Sequence, residues 1–284
     1  MIDLILGVDH RRFREGAVLT ELPLRSVSQL NSYTRCPMGY KLARIDKVWA
    51  RPAAWLPQGT AFHAVAEEYE RRFAALDAMS LEDALDLFRE EYANGINEMS
   101  DTTPNHEWWF WSGPYNGERD IERRYEIGLE QVEKFIIWRN MEGQDIWVTP
   151  EGNPAIEQSF VIELDGIYVR GYIDAVVVVD GELRVRDYKT GNTPGDDFQL
   201  GVYAVAIADL YGVKPMTGDY FMAGKKGVKP KITAPYDLSH WTREAVSARF
   251  REVEDLIQAG NFEPDPEPSK CGFCDVNYFC PVFR

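Results

Sequence analysis

Two Asp-Gly dipeptides, Asp165-Gly166 and Asp180-Gly181, interrupt the stretch IEQSFVIELDGIYVRGYIDAVVVVDGELRVRDYKT, residues 156–190. Each is flanked by β-branched and aromatic residues, the strongest short signal for a β-hairpin. A two-residue hairpin turn of type I′ needs positive φ at both central positions, which Asp and Gly adopt at low cost. If both turns hold two residues, register follows without adjustment: paired residue numbers total 331 in the first hairpin and 361 in the second. Glu157 then faces Asp174, and Asp174 faces Asp187. Three carboxylates from three neighbouring strands fall in one row on one sheet face, and Lys189, two residues beyond Asp187, shares that face. Like charges directly opposite one another destabilise a sheet, so such a row needs an agent to gather it, and a divalent cation is the natural one. Longer turns would slip the register by one residue and scatter the acids.

Around this meander the pattern is helical. Ser26 suits an N-cap for a helix carrying Leu30 and Tyr33, and Pro37 breaks or restarts it after Cys36. RPAAWLPQGT reads as a loop leading to a helix from about Thr60 to Leu76, with Phe62, Val65, Ala66, Tyr69 and Phe73 on one face and His63 in its first turn. SLEDALDLFREEY reads as a helix capped by Ser80, and a further helix is expected over 118–138. A helix near 197–210 places Gln199 and Tyr203 on one side, four residues apart. A strand pair within 214–234 and a helix near 242–259 complete the chain before a Pro-rich tail. The expected organisation is one α/β domain over 1–284: a mainly helical region (26–150), a sheet core (151–240), and a C-terminal helix with the tail (241–284).

The net charge of −15 argues against coating nucleic acid through bulk electrostatics, but leaves room for a local basic groove. Two clusters could form one: Lys41, Arg44, Lys47 and Arg51, and the loop Lys225, Lys226, Lys229, Lys231. Either can equally be a solvated face. Nothing approaches the apolar length of a membrane span, the four valines Val176–Val179 included. MIDLILGVDHRRF lacks the form of an export signal, so a cytoplasmic location without membrane attachment is expected. No G-x-x-x-x-G-K-[ST] loop is present. Trp108, Trp109, Phe110 and Trp111 stand in a row; we expect them to fold back on the domain or an interface, stacking on unpaired bases being the alternative.

The four cysteines are Cys36 and, far downstream, Cys271, Cys274 and Cys280 in a C-x2-C-x5-C tail. Disulfides do not suit the expected compartment, and incidental burial does not explain three cysteines crowded into a turn-like tail. A four-thiolate metal site fits, either an iron–sulfur centre or zinc, and it would clip the N-terminal region to the C-terminus.

G-x-x-x-H (Gly59, His63), G-x-I-D (Gly171 to Asp174), D-Y-K-T-G (Asp187 to Gly191) and Q-x-x-x-Y (Gln199, Tyr203) occur in that order. The set resembles the RecB-type branch of the PD-(D/E)XK nucleases. With S-x-S-x-L-x-x-Y-x-x-C-P at 26–37 and the cysteine tail, it is similar to the iron–sulfur members, among them CRISPR-associated RecB-like exonucleases and the AddB nuclease domain. The resemblance spans residues 26–281 and implies a restriction-endonuclease-like fold with a [4Fe–4S] cluster on the four cysteines. It implies a metal-dependent deoxyribonuclease, an exonuclease acting on single-stranded DNA or DNA ends. Asp174 and Asp187 would hold Mg²⁺ or Mn²⁺ with His63 and the Tyr188 carbonyl, and Glu157 would be a further contact. Lys189 would orient the water, while Gln199 and Tyr203 would position the strand. An endonuclease, a silent nucleic-acid-binding adaptor, a partner protein and a homo-oligomer remain open.

Overall fold

The computed structural model of the chain describes residues 22–283. The N-terminal stretch read above for an export signal lies outside the described residues. Among those described, no helix is long and apolar enough to cross a membrane.

A short strand β1 (Leu24–Arg25) leads into α1 (Val27–Arg35), where the Ser26 side chain caps the Gln29 N–H as expected. Pro37 restarts the chain as α2 (Pro37–Tyr40), which runs on into a π-helical turn over Lys41–Ile45. Three long helices follow: α3 (Trp55–Ala74), α4 (Leu81–Thr102) capped by Ser80, and α5 (Gly117–Glu142). The start of α3 corrects the expectation of a loop through residue 60. Pro57 sits in the first turn, where its missing N–H has no partner to lose, so the helix begins at Trp55. His63 therefore sits in the third turn rather than the first.

Strands β2 (Asp145–Ile146), β3 (Ile156–Leu164), β4 (Ile167–Val179) and β5 (Glu182–Lys189) form the meander. Helix α6 (Asp197–Tyr211) crosses to β6 (Thr217–Met222), which runs parallel to β5. The short strands β7 (Lys231–Ile232) and β8 (Tyr236–Asp237) both pair antiparallel with β6. Next come α7 (Arg243–Gln258), capped by Thr242, and α8 (Pro268–Cys271) in the tail. The result is a mixed sheet of eight strands, with order β1-β4-β5-β6-β7 along its main path. This is the restriction-endonuclease-like α/β arrangement.

Both Asp-Gly pairs are two-residue turns with positive φ throughout: 48° and 79° at Asp165-Gly166, 53° and 82° at Asp180-Gly181. The ladders run from Ile156↔Ala175 to Leu164↔Ile167, and from Ala175↔Arg186 to Val179↔Glu182. Both totals, 331 and 361, are those the turns predict. Helices cover the sheet on both sides. Val176 and Val185 join one core with α6 and α7, while Ala175, Val177 and Tyr188 join a second with α3, α4 and α5.

In that second core, α4 and α5 meet at Gly128, where an added Cβ would stand 1.9 Å from the Phe88 ring. Backbone and ring cannot both stay in place, so Gly128→Ala is expected to destabilise the fold by about 1–3 kcal/mol, read as a lowered thermal midpoint.

Candidate active site

The site is assembled where His63 of α3 meets Glu157 at the start of β3 and Asp174 within β4, with Asp187 near the end of β5 beside them. Asp174, one step beyond the Ala175↔Arg186 pair, comes level with Asp187. Its Oδ2 accepts the Tyr188 backbone N–H at 2.6 Å, which ties β5 to the carboxylate of β4. Glu157 lies between the Ile156↔Ala175 and Gln158↔Ile173 pairs, opposite Asp174. It interrupts the ladder with φ of 44°, a left-handed conformation that is uncommon for glutamate. Such conformations persist where surrounding structure holds them and cluster at functional sites.

His63 descends from the solvent face of α3 onto these acids. Its Nδ1 lies 3.5 Å from Asp174 Oδ1 and 3.8 Å from Glu157 Oε1. His63, Glu157 and Asp174 each offer a ligand atom, and the three atoms lie within 4.8 Å of one another. Burial works against charge on the imidazole. The Asp174 charge, hydrogen bonds to Asp174 and Glu157, and the Asp187 charge together outweigh it, pushing the His63 pKa up to about 10. The acids thus create a place suited to a cation.

Asp187 stands beside this trio. Lys189 Nζ lies 2.7 Å from its Oδ2, and Gln199 Nε2 donates to its Oδ1 at 2.8 Å. Oδ2 is buried and accepts no well-directed hydrogen bond, the Lys189 contact being an ion pair without that geometry. Burial, reinforced by the charge of Asp174 and opposed by Lys189 and His63, raises the Asp187 pKa to about 7. Gln199 also reaches the Tyr203 hydroxyl at 2.7 Å, and its Oε1 lies 3.4 Å from Lys189 Nζ. The Gln/Tyr pair expected on one face of α6 therefore reaches the Asp187–Lys189 pair. The Tyr188 side chain points to the opposite core, where its hydroxyl donates to Glu70 at 3.1 Å.

Several contributors were not legible in sequence. Gln131 of α5 donates to the carbonyls of Thr190 and Gly224, and Gln58 of α3 donates to Gln131, so buried amides from two helices brace the strand end that carries Lys189. A cleft of about 500 Å³ beside Gln199 and Tyr203 is lined by Ser26, Ser28, Arg170 and Tyr172. The basic loop lies against α5, with Lys226 paired to Glu126 at 2.7 Å and Lys134 donating to the Lys225 carbonyl, while Lys229 is exposed.

A second cluster joins residues from both ends of the described chain. Cys36, Cys271, Cys274 and Cys280, all free thiols, line one cavity of about 300 Å³ together with Arg35 and Lys270. The N–H groups of Gly39 and Asp265 each stand 3.5 Å from Cys36 Sγ. Among the described residues, no three of these sulfurs lie within 4.8 Å of one another.

A sequence model of the PD-(D/E)XK nuclease superfamily matches residues 25–281. The chain belongs to that superfamily. The gene 69 protein of Mycobacterium phage L5 is 69% identical over 285 residues, covering 93% of this chain and 98% of that protein. The gene 69 protein of Mycobacterium phage D29 is 69% identical over 265 residues, with 93% and 98% covered. A crystal structure of a provisionally named exonuclease from Eubacterium rectale aligns with a TM-score of 0.41 at 14% identity, over 91% of this chain and 88% of that one. PD-(D/E)XK nucleases use divalent metals, and the His63, Glu157 and Asp174 group is an acidic site suited to one. Glu157→Gln keeps the shape of the side chain and removes its charge. It should weaken divalent-cation binding about tenfold or more, measured by calorimetric titration, with no change in thermal midpoint beyond a few degrees.

Proposed function

We propose that this PD-(D/E)XK nuclease is a metal-dependent deoxyribonuclease that degrades single-stranded DNA or DNA from its ends, in the RecB-type iron–sulfur branch. The observation that carries the reading is the convergence of His63, Glu157 and Asp174 beside the Asp187–Lys189 pair. The donor set, one imidazole and carboxylate oxygens, suits Mn²⁺ or Mg²⁺, the imidazole tilting it toward Mn²⁺. Asp187 Oδ2, buried without a directed hydrogen bond, fits the same purpose. His63, Asp174, Asp187 and the Tyr188 carbonyl would hold the ion, with Glu157 as a further contact. When bound, it would supply Lewis-acid neutralisation at the scissile phosphate.

The chain's own residues do the rest. Lys189, anchored by Asp187 and Gln199, carries a positive charge at the place where the attacking water is oriented and phosphate charge grows. Gln199 bridges Asp187 and Tyr203, so the position of the strand and that of the lysine depend on one amide. The cleft lined by Ser26, Ser28, Arg170 and Tyr172 provides hydroxyls, a cation and a ring where a single strand would lie. The setting we propose is DNA processing during phage growth, the two relatives being proteins of mycobacteriophages.

For the cysteines we propose a structural [4Fe–4S] cluster. A tetrahedral zinc, with Zn–S bonds of about 2.3 Å, would hold its sulfurs roughly 3.8 Å apart. A cavity of about 300 Å³ lined by all four cysteines has room for a centre larger than one ion, and the N–H groups on Cys36 Sγ are the kind that tune one. Purified anaerobically, the protein should be brown and hold iron and sulfide in equal amounts. Cys36→Ser should bleach it. Colourless protein with one zinc per chain would overturn the cluster.

The activity is tested with end-labelled linear single-stranded DNA and covalently closed circular DNA, each with Mn²⁺ or with chelator. Metal-dependent loss of the linear strand alone is expected. Cutting of the closed circle would make the enzyme an endonuclease, and no cleavage of either substrate would point to a DNA-binding adaptor.

A further inference from the structure

The row Trp108 to Trp111 divides in the folded chain. Trp109 and Phe110 are buried, and Trp109 donates its indole N–H to the Thr103 carbonyl at 2.9 Å. Trp108 and Trp111 stay 56% and 39% exposed, and the cysteine tail adds Phe273 and Tyr278 beside them at 59% and 60% exposed. Their rings adjoin: Trp108 and Tyr278 centroids are 6.4 Å apart, and Phe110 and Phe273 are 6.3 Å apart. Arg51 lies among them. Its guanidinium stands 4.3 Å from the Phe110 centroid, 5.5 Å from Trp111 and 5.7 Å from Tyr278, while Nε donates to the Trp108 carbonyl.

Four exposed aromatic rings cost the protein hydration free energy and invite association, so a partner is expected. Charge indicates which kind. In a chain of net charge −15, residues 35–51 carry five cations (Arg35, Lys41, Arg44, Lys47, Arg51) against one acid, Asp46. Arg35, Arg44 and Lys47 are exposed. Exposed rings set around the Arg51 guanidinium suit an unpaired nucleic-acid strand, since bases stack on ring faces and phosphates meet positive charge, although the exposed acids Glu107 and Asp275 lie close by in sequence.

The patch also connects with the metal site. Phe110 pairs with Ala53 and stacks on Trp55, whose centroid is 6.2 Å away, at the start of α3. From there the solvent face of α3 carries Leu56, Gly59 and Thr60 to His63. The eight residue steps of helix from Trp55 to His63 span about 12 Å.

We propose that Trp108, Trp111, Phe273 and Tyr278, set around Arg51, form a stacking platform for unpaired bases of the strand delivered to the active site. The inference rests on the nuclease reading and extends it, naming single-stranded DNA as the ligand of this surface. Because Phe273 lies between Cys271 and Cys274, and Tyr278 two residues before Cys280, the cysteine site also shapes the platform.

The test is fluorescence anisotropy with a labelled phosphorothioate oligodeoxythymidine, which resists cleavage, in the presence of Mn²⁺. Removing a stacked base contact costs about five- to 150-fold in affinity. Trp108→Ala with Trp111→Ala should therefore weaken binding by about tenfold or more. Hydrolysis of thymidine 5′-phosphate p-nitrophenyl ester, too small to reach the patch, should be unchanged. Trp108→Phe should keep most of the affinity and Trp108→Leu should lose it, because stacking needs a ring. Unchanged affinity in the double variant, or Leu serving as well as Phe, overturns the platform and leaves the patch to a protein partner, provided circular dichroism and visible spectra match the wild type. Hydrolysis of neither ester nor DNA by the wild type, with ring-dependent binding intact, removes the nuclease reading and keeps the platform.

Discussion

Asp174→Asn protein is expected to remain folded and to hydrolyse linear single-stranded DNA roughly 10³-fold more slowly than wild type, a loss of about 4 kcal/mol in transition-state stabilisation. The choice of asparagine matters. Asp174 Oδ2 accepts the buried Tyr188 N–H, and alanine would leave that donor unsatisfied at a cost of about 1–3 kcal/mol in stability. Asparagine keeps an acceptor there and removes only the charge. Removing one of several clustered acids also relieves repulsion, which offsets part of any other loss. Lys189→Ala should lose a similar factor. Lys189→Arg should not restore it, because a planar guanidinium cannot occupy the compact place between Asp187 and Gln199. Initial rates on end-labelled DNA, with thermal midpoints measured on the same preparations, separate chemistry from folding. Wild-type rates in both variants would remove Asp174 and Lys189 from the active site.

The largest stability effect is expected at Asp219, away from the chemistry. Arg186 and Asp219 are both buried on adjacent strands, with two parallel hydrogen bonds of 2.6 and 2.9 Å. Arg186 also donates to Gln144 Oε1 at 2.6 Å. The pair's own net contribution is small, since desolvating two ions consumes most of their attraction. Removing one partner is different, because a guanidinium is then left buried without its counter-charge. Asp219→Ala should therefore destabilise the fold by about 3–5 kcal/mol, lowering the thermal midpoint by roughly 10 °C. The double variant Arg186→Met with Asp219→Leu should recover most of that loss. Denaturant midpoints for the two singles and the double measure it, and additive losses would show that the charges do not depend on each other. Arg186 is adjacent to Asp187 on β5, so Asp219→Ala should also lower nuclease activity through the position of that strand.

The reach of sequence reasoning follows from how far apart the interacting residues are. The row of acids was legible because each hairpin is local. Positive φ at Asp165-Gly166 and Asp180-Gly181 is a property of those residues, and two-residue turns leave no freedom in register. Helix caps at Ser26 and Ser80 were legible for the same reason, a side chain meeting an N–H three residues on. The first turns of α3 were misread because Pro57 and Gly59 resemble loop residues until the helix around them is seen to begin at Trp55.

By itself, the sequence determined the strand register, the level placement of Glu157, Asp174 and Asp187, and the one-sided pairing of Gln199 with Tyr203, all through contacts short along the chain. Only the tertiary structure decided that α3 lays His63 on those acids and that Glu157 takes a left-handed conformation opposite Asp174. It also decided that two helices brace the Lys189 strand end, that four cysteines share one cavity, and that an aromatic row splits into buried anchors and exposed rings. Those outcomes depend on which helix packs on which strand. Packing follows from burying apolar faces shared by segments as distant as Cys36 and Cys280, and neighbouring residues carry no record of it.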